Sequence, residues 1–384
     1  MATFLELKNI SKRFGGVQAL TDVDLTLEAG EVHCLVGENG SGKSTLIKII
    51  SGVQPPEYGG QIIIEGKSYT HLTPVESTRA GIQVIYQDLS LFPNLTVAEN
   101  IAVGQHLGGF HPVDWAAIRK IAEAAMARIN VQLDFDAKVE DLSIANRQLV
   151  AICRAMAADA KLVIMDEPTA SLTRHEVDAL LSLVRELKKK NICIVFVSHR
   201  LDEVLEVAER VTVLRDGKKV GTFDAKEVSD KKLAVLMTGK EFSYDLKATE
   251  LSNRKKILSV KNLSRTGDYK NISFDLREGE ILGITGLLGS GRTELALSLF
   301  GMNPPDEGEI KLEGKSLALK SNREAIDNGI AYVSEDRLTL GLILEQPIAA
   351  NAIVTILDKL KAAFGLIPHN ARETTVDRWV KDLS

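Results

Sequence analysis

Cysteine is scarce in this 384-residue chain: only Cys34, Cys153 and Cys193 occur, scattered through apolar surroundings. None of them forms a metal-ligand pair with another, so they read as reduced core residues of a cytoplasmic protein. No apolar run approaches the ~18 residues needed to span a bilayer. The first residues, Met1-Ala2-Thr3-Phe4-Leu5-Glu6, lack the basic-then-apolar layout of a signal peptide. There is no excess of positive charge either. Against 47 Lys and Arg stand 52 Asp and Glu, a net charge of −5 that supplies no basic field for nucleic acid. The basic clusters Lys188-Lys189-Lys190 and Arg254-Lys255-Lys256 read as solvated charge at a helix end and in a linker. These absences describe a soluble, intracellular chain that reaches a membrane only through a partner.

What is present is repetition. Leu5-Glu6-Leu7-Lys8-Asn9-Ile10-Ser11 recurs as Leu258-Ser259-Val260-Lys261-Asn262-Leu263-Ser264, and Gly30-Glu31-Val32 recurs as Gly279-Glu280-Ile281. Glu65-Gly66-Lys67 recurs as Glu313-Gly314-Lys315, and the stretch from Ile82 to Asp88 recurs from Ile330 to Asp336. The offset stays between 248 and 253 throughout, which marks two homologous units in tandem. The first is expected over 1–240 and a polar linker over 241–255. The second occupies 256–384, too few residues to repeat the first in full, so it is expected to be a truncated copy.

An α/β core is expected for the first unit. Glu31–Val36 reads as a buried strand leading to a glycine-rich loop, with a helix from about Lys43. Leu162–Met165 and Ile192–Val197 read as buried strands, too short and β-branched for helices. Between them Val177, Leu180, Leu181, Val184 and Leu187 recur at helical spacing, so a helix joins two parallel strands. Val211–Arg215 and the turn at Asp216-Gly217 predict a hairpin at the sheet edge. Residues 90–158 are richer in helical pattern and predict a separate helical part.

The loop Gly37-Glu38-Asn39-Gly40-Ser41-Gly42-Lys43-Ser44 matches GxxxxGK[ST]. Its glycines let backbone N–H groups face phosphates, and the following helix presents its positive end. Lys43 can reach the β- and γ-phosphates, and the Ser44 hydroxyl can ligate Mg²⁺. Leu162-Val163-Ile164-Met165 ends in Asp166 and Glu167. A strand end beside the phosphate loop puts Asp166 where it can hold the metal through water, and Glu167 where it can polarise attacking water. Alone, such an Asp-Glu pair would be only a solvated strand end. Gln87 after the strand Gln83–Tyr86, and His199 after Ile192–Val197, mark the same catalytic edge, where γ-phosphate sensors belong. Phe14 is a candidate to stack on an adenine ring, with an ordinary core or surface Phe as the alternative. Ser143 is placed to cap a helix through Met156, and a capped helix start can hold an anion.

In order and type these motifs resemble the ABC ATPases, and within them the bacterial sugar-import branch with two ATPase domains fused in one chain. The resemblance covers the whole chain. It implies a P-loop NTPase core with an antiparallel β edge and a helical subdomain, present as one complete and one partial copy. Gly37 to Thr45 correspond to Walker A and Phe14 to the adenine-stacking loop, with Gln87 in the Q-loop and Ser143 in the signature. Asp166-Glu167 correspond to Walker B, Ala170-Ser171-Leu172-Thr173 to the D-loop, and His199 to the switch histidine. The resemblance implies ATP as ligand, with Mg²⁺ held through Ser44, Gln87 and Asp166. Tyr86 to Asn100 would contact a transmembrane permease, served in turn by a periplasmic or extracellular sugar-binding protein. The chain would then lie on the inner face of the cell membrane, and its site would be closed by the signature of a second ATPase domain or chain.

The second copy departs from that pattern. Arg292 replaces the phosphate-binding Lys, Glu335 stands where Gln87 stands, and Gly267 takes the place of Phe14. Arg keeps the charge but not the compact point contact, so this second site is expected to be degenerate. The same offset carries Ser143 to 391, past the last residue, so the chain is expected to bind Mg-ATP yet turn it over poorly alone. The rival expectations are a non-transport ABC ATPase and a nucleotide-binding regulatory subunit.

Overall fold

The computed structural model describes residues 2–105, 113–241, 253–287, 289–334, 336, 340–362 and 365–383. By Cα proximity the chain divides into Met1–Tyr244 and Asp245–Ser384. Most of the expected linker, together with Glu335, Leu288 and Ser384, lies outside the described residues.

In the first unit, runs of Val, Ile and Leu too short for helices form a six-stranded sheet. Its order is β10 (Lys218–Asp224), β9 (Arg210–Arg215), β3 (Val32–Val36), β8 (Cys193–Val197), β7 (Leu162–Asp166) and β6 (Ile82–Ile85). All neighbours pair in parallel except β9 and β10, the hairpin turned at Asp216-Gly217. Every residue of β3 and β8 is buried because both faces of the sheet are covered. On one face Cys34, Val163, Met165, Ile194 and Phe196 join a core with α3 (Val97–Ala102), α4 (Trp115–Arg128), α5 (Ile144–Ala157), α6 (Arg174–Lys189) and α7 (Leu201–Val207). On the other, Leu35, Ile164, Val195 and Val197 pack with α1 (Lys43–Ile50) and with a second sheet.

That second sheet is antiparallel, in the order β2 (Val17–Glu28), β1 (Thr3–Phe14), β4 (Gln61–Ile64) and β5 (Lys67–Tyr69). Leu5, Leu7, Leu25 and Leu27 alternate inward with polar residues outward, the period expected of a sheet with one wet face. α2 (Pro74–Arg79) opens with a capping box between Thr73 and Glu76 and leads into β6; α8 (Asp230–Thr238) ends the unit on Gly239 in the left-handed conformation.

The residues from 90 to 158 supply α3, α4 and α5, packed on one another, with the loop before α3 held by Asn100. This side chain is fully buried. Its Oδ1 accepts from the Phe92 N–H at 2.8 Å, and its amide donates to the carbonyls of Phe92, Leu95 and Thr96 at 3.0, 3.3 and 3.0 Å.

The second unit repeats the antiparallel sheet, in the order β12 (Tyr269–Arg277), β11 (Lys256–Arg265), β13 (Glu307–Leu312) and β14 (Lys315–Ser316). It also contains α9 (Arg292–Leu299), α10 (Asn322–Asp327), α11 (Ile348–Ile353), α12 (Leu357–Leu360) and α13 (His369–Leu383). Asn351 repeats the bracing by Asn100, accepting from the Ile343 N–H at 2.8 Å and donating to the Ile343 and Gln346 carbonyls at 2.9 and 3.1 Å. Among the described residues the central sheet is not repeated. Residues 281–285, the counterpart of β3, form no strand, and Ile281 is 98% exposed. β3 is a strand because β8 and β9 flank it. No counterpart of either pairs with 281–285 among the described residues.

Candidate functional site

The site is built where β3, β7 and β8 end, since parallel strands deliver their carboxyl ends to one edge. β3 runs straight into the glycine-rich loop, and α1 begins at Lys43. The turn requires left-handed backbone at Gly40 (φ 85°) and Gly42 (φ 101°). At Gly42 a Cβ would sit 2.6 Å from Leu20 Cδ2 and 2.7 Å from the Ala19 carbonyl, so only glycine fits. The Lys43 ammonium folds back on the loop, donating to the Gly37 and Glu38 carbonyls at 2.7 and 3.0 Å. Burial lowers its pKa, opposed by the carboxylates of Glu167 and Asp166. A buried cation at the start of a helix, within a glycine-rich turn, has the chemistry to receive a polyvalent anion. The Ser41 hydroxyl points into the same cradle, buried and without a protein partner. Ser44 and Asn39 are exposed, and Thr45 is half-buried in the first turn of α1.

Asp166 ends β7, and Glu167 follows it. The end of β7 faces the phosphate loop although β8 stands between β3 and β7 in the sheet. The carboxylates reach Lys43 across one strand, and the end of that strand carries His199, which meets Glu167. Burial raises the Asp166 pKa, and the neighbouring Glu167 raises it further. Such a carboxylate gains from any cation placed against it. Glu167 sits in the left-handed region at φ 48°, a conformation uncommon outside glycine and held here by its N–H donating to the Val197 carbonyl at 2.9 Å. His199 Nδ1 lies 3.2 Å from Glu167 Oε1.

The other sequence candidates are placed less centrally. Gln87 is exposed just past β6, the strand flanking β7, at the same edge of the sheet. Phe14 ends β1 and is 42% exposed, with the Lys12 ammonium 5.5 Å from its ring centroid. Its hairpin continues into Ala19 and Leu20, the residues that abut Gly42, so the ring flanks the loop. Ser143 caps α5 by accepting from the Asn146 N–H at 3.3 Å, on the helical part rather than in the sheet-end cluster.

Sequence reasoning passed over a buried carboxylate behind the cluster. Glu203 is 1% exposed and accepts hydrogen bonds from Thr169, two residues beyond Glu167, and from Ser198, one before His199. Its position in the first turn of a helix made it resemble an ordinary dipole-compensating acid.

In the second unit the two left-handed glycines of the loop recur, at Gly289 and Gly291, while its cation changes place. Gly291 is left-handed at φ 84° before α9, and a Cβ there would strike the Asp268 carbonyl. Arg292, where Lys43 stands in the first copy, is exposed rather than buried.

The family model described as ABC transporter matches residues 20–170 and 269–384. A putative ribose/galactose/methyl galactoside import ATP-binding protein of Agrobacterium fabrum is 42% identical over 382 residues, covering 99% of this chain and 75% of that protein. The ribose import ATP-binding protein RbsA of Clostridium tetani is 41% identical, covering 99% of this chain and 76% of its own. Among solved structures, the ADP conformation of MJ1267, an ATP-binding cassette of an ABC transporter, superposes with a TM-score of 0.56. It is 29% identical and covers 62% of this chain and all of its own.

Proposed function

This chain belongs to the ABC transporter family, and on that premise we propose that it is the ATP-binding and ATP-hydrolysing subunit of a monosaccharide importer, with its working site in the first unit. Relatives named for ribose and galactose import, matched almost end to end, support the sugar class. The observation that carries the site assignment is the convergence of Lys43, Asp166, Glu167 and His199 at one edge of the sheet. Among the described residues no helix is long and apolar enough to cross a membrane, so transport needs permease subunits to which this chain docks.

In this reading the triphosphate displaces the Gly37 and Glu38 carbonyls from the Lys43 ammonium, which moves to the β- and γ-phosphates. The loop amides and the buried Ser41 hydroxyl take the remaining oxygens. The left-handed backbone of Glu167 aims its carboxylate at the water that attacks the γ-phosphate, and His199 holds that carboxylate through its Nδ1 contact. Polarising the water in this way contributes on the order of 10²–10⁴ in rate.

The donor set also fits Mg²⁺. Ser44, Gln87 and Asp166 offer hydroxyl, amide and carboxylate oxygens of the hard kind that this ion selects, and burial has already left Asp166 wanting a cation. Among the described residues no group of three His, Cys, Asp or Glu is arranged to hold a metal ion by itself. When bound, the ion neutralises charge on the phosphates. Phe14 would stack on the adenine, and Ser143 would serve the corresponding site of a facing domain.

Glu167→Gln tests the reading. Nucleotide binding with magnesium should persist, while the single-turnover rate of hydrolysis falls ~10²–10⁴-fold. Unchanged turnover would remove Glu167 from its role.

A further inference from the structure

The Glu203 carboxylate is almost wholly enclosed, and a charge in such a place is retained only when its oxygens are satisfied. Oε2 accepts from the Thr169 hydroxyl at 2.5 Å and from the Ser198 hydroxyl at 3.4 Å. Oε1 accepts from Arg200 Nη1 at 3.1 Å. Thr169 and Ser198 are each 1% exposed, so neither hydroxyl has water as an alternative partner. Ser198 Oγ also accepts from the Arg200 N–H at 3.0 Å, which closes the network on itself.

These partners are not on one loop. Thr169 belongs to the segment leaving β7, two residues after Glu167. Ser198 belongs to the segment leaving β8, one residue before His199. A single oxygen atom of Glu203 therefore joins the two segments whose side chains meet at 3.2 Å between His199 Nδ1 and Glu167 Oε1. Their backbones are joined by the β7–β8 pairing, which reaches Asp166 and Val197, and by the bond from the Glu167 N–H to the Val197 carbonyl. That bond joins the backbones at the strand ends, whereas the Glu203 oxygen joins side chains of the turns that follow. Glu167 needs restraint more than most residues, because its left-handed backbone is unfavourable for a side chain of its type.

We propose that Glu203 is a positioning residue for hydrolysis: through Thr169 and Ser198 it clamps the β7 and β8 turns and so fixes Glu167 and His199 against each other. The proposal rests on the assignment of Glu167 above. Placement errors of about 1 Å at a reacting group cost rate on the order of 10²-fold, so a clamp of this kind acts on turnover rather than on substrate affinity. It touches neither the phosphate loop nor Phe14.

The test compares Glu203→Gln, Thr169→Val and Thr169→Ser with the unaltered chain, measuring single-turnover hydrolysis and Mg-ATP affinity on each. Thr169→Val removes the hydroxyl at equal volume, and Thr169→Ser restores it. The expected result is a tenfold or greater loss of turnover in Glu203→Gln and Thr169→Val, with nucleotide affinity within twofold and activity recovered in Thr169→Ser. Glu206→Gln, one turn on in α7 and facing Arg174 and Arg185 at the surface, should change nothing. In a Glu167→Gln background the Glu203→Gln change should add no further loss, because the group it positions is gone.

Full turnover in both Glu203→Gln and Thr169→Val, beside a dead Glu167→Gln, overturns the clamp while leaving the site assignment intact. Loss of affinity in parallel with turnover also overturns it, since that marks a structural role. An active Glu167→Gln overturns the underlying assignment instead.

Discussion

At Gly42 the phosphate loop and the β1–β2 hairpin touch through a backbone that has no room for a methyl group. Gly42→Ala would drive a Cβ against Leu20 Cδ2 and the Ala19 carbonyl and would hold an L-residue at φ 101°. Gly40 is also left-handed, but a Cβ there meets open space. The account therefore predicts that Gly42→Ala weakens Mg-ATP binding at least tenfold, whereas Gly40→Ala costs only the conformational penalty of about 1 kcal/mol. Titration of nucleotide into both variants checks the ranking. The cysteines sit at the opposite extreme of reactivity. Burial pushes the Cys153 and Cys193 thiols up to about 12 and Cys34 higher still, as expected of core residues.

Among the elements, the loop before α3 is stabilised by one side chain rather than by a regular ladder. Asn100→Ala would leave the Phe92 N–H without its partner, while the Phe92, Leu95 and Thr96 carbonyls keep the backbone N–H groups of Leu95, Val139 and Asn100. One such group costs about 1–3 kcal/mol, so the thermal midpoint of unfolding should fall by roughly 2–10 °C for a unit of this size. Calorimetry reads that shift directly, and a fall of less than 2 °C would show that water replaces the amide.

The elements also show what the sequence makes readable. α6 was visible because Val177, Leu180, Leu181, Val184 and Leu187 keep helical spacing, and all five are buried. The phosphate loop was visible because its glycines are needed by local backbone geometry alone. Strand order is a different kind of fact, set by packing between distant segments, and for that reason the interposition of β8 between β3 and β7 could not be read from either run. The burial of Glu203 was hidden for the same reason, since its partners lie 34 and 5 residues away. Residues 281–285 carry a strand-like pattern and form no strand, because an apolar run becomes a strand only when neighbours satisfy its hydrogen bonds.

For the molecule as a whole, acid stability of the first unit should turn on the junction between β3 and β9. Glu31 is buried there, which by itself would raise its pKa. Hydrogen bonds from His33 and from the Arg210 guanidinium outweigh that effect and lower it from 4.5 to about 2. Arg210 contacts both carboxylate oxygens at 2.6 Å, and His33 also reaches Thr212 at 2.8 Å. Because the folded carboxyl titrates below the unfolded one, its contribution, on the order of 3 kcal/mol, is complete above pH 4.5 and is lost as pH falls toward 2. Urea unfolding between pH 5 and pH 3 should show a steep loss of stability that flattens in Glu31→Gln. An unaltered slope would place the acid sensitivity elsewhere.

The tandem units share an antiparallel sheet, a braced loop and a glycine-shaped turn, yet only the first buries a cation in that turn. The central claim is that Lys43 grips the phosphates of a nucleotide. Isothermal titration of the whole chain with ATP and magnesium tests it most directly. Uptake that disappears in Lys43→Ala, with the variant still folded, is the predicted result. Absence of uptake by the unaltered chain, or uptake indifferent to Lys43→Ala, would contradict it.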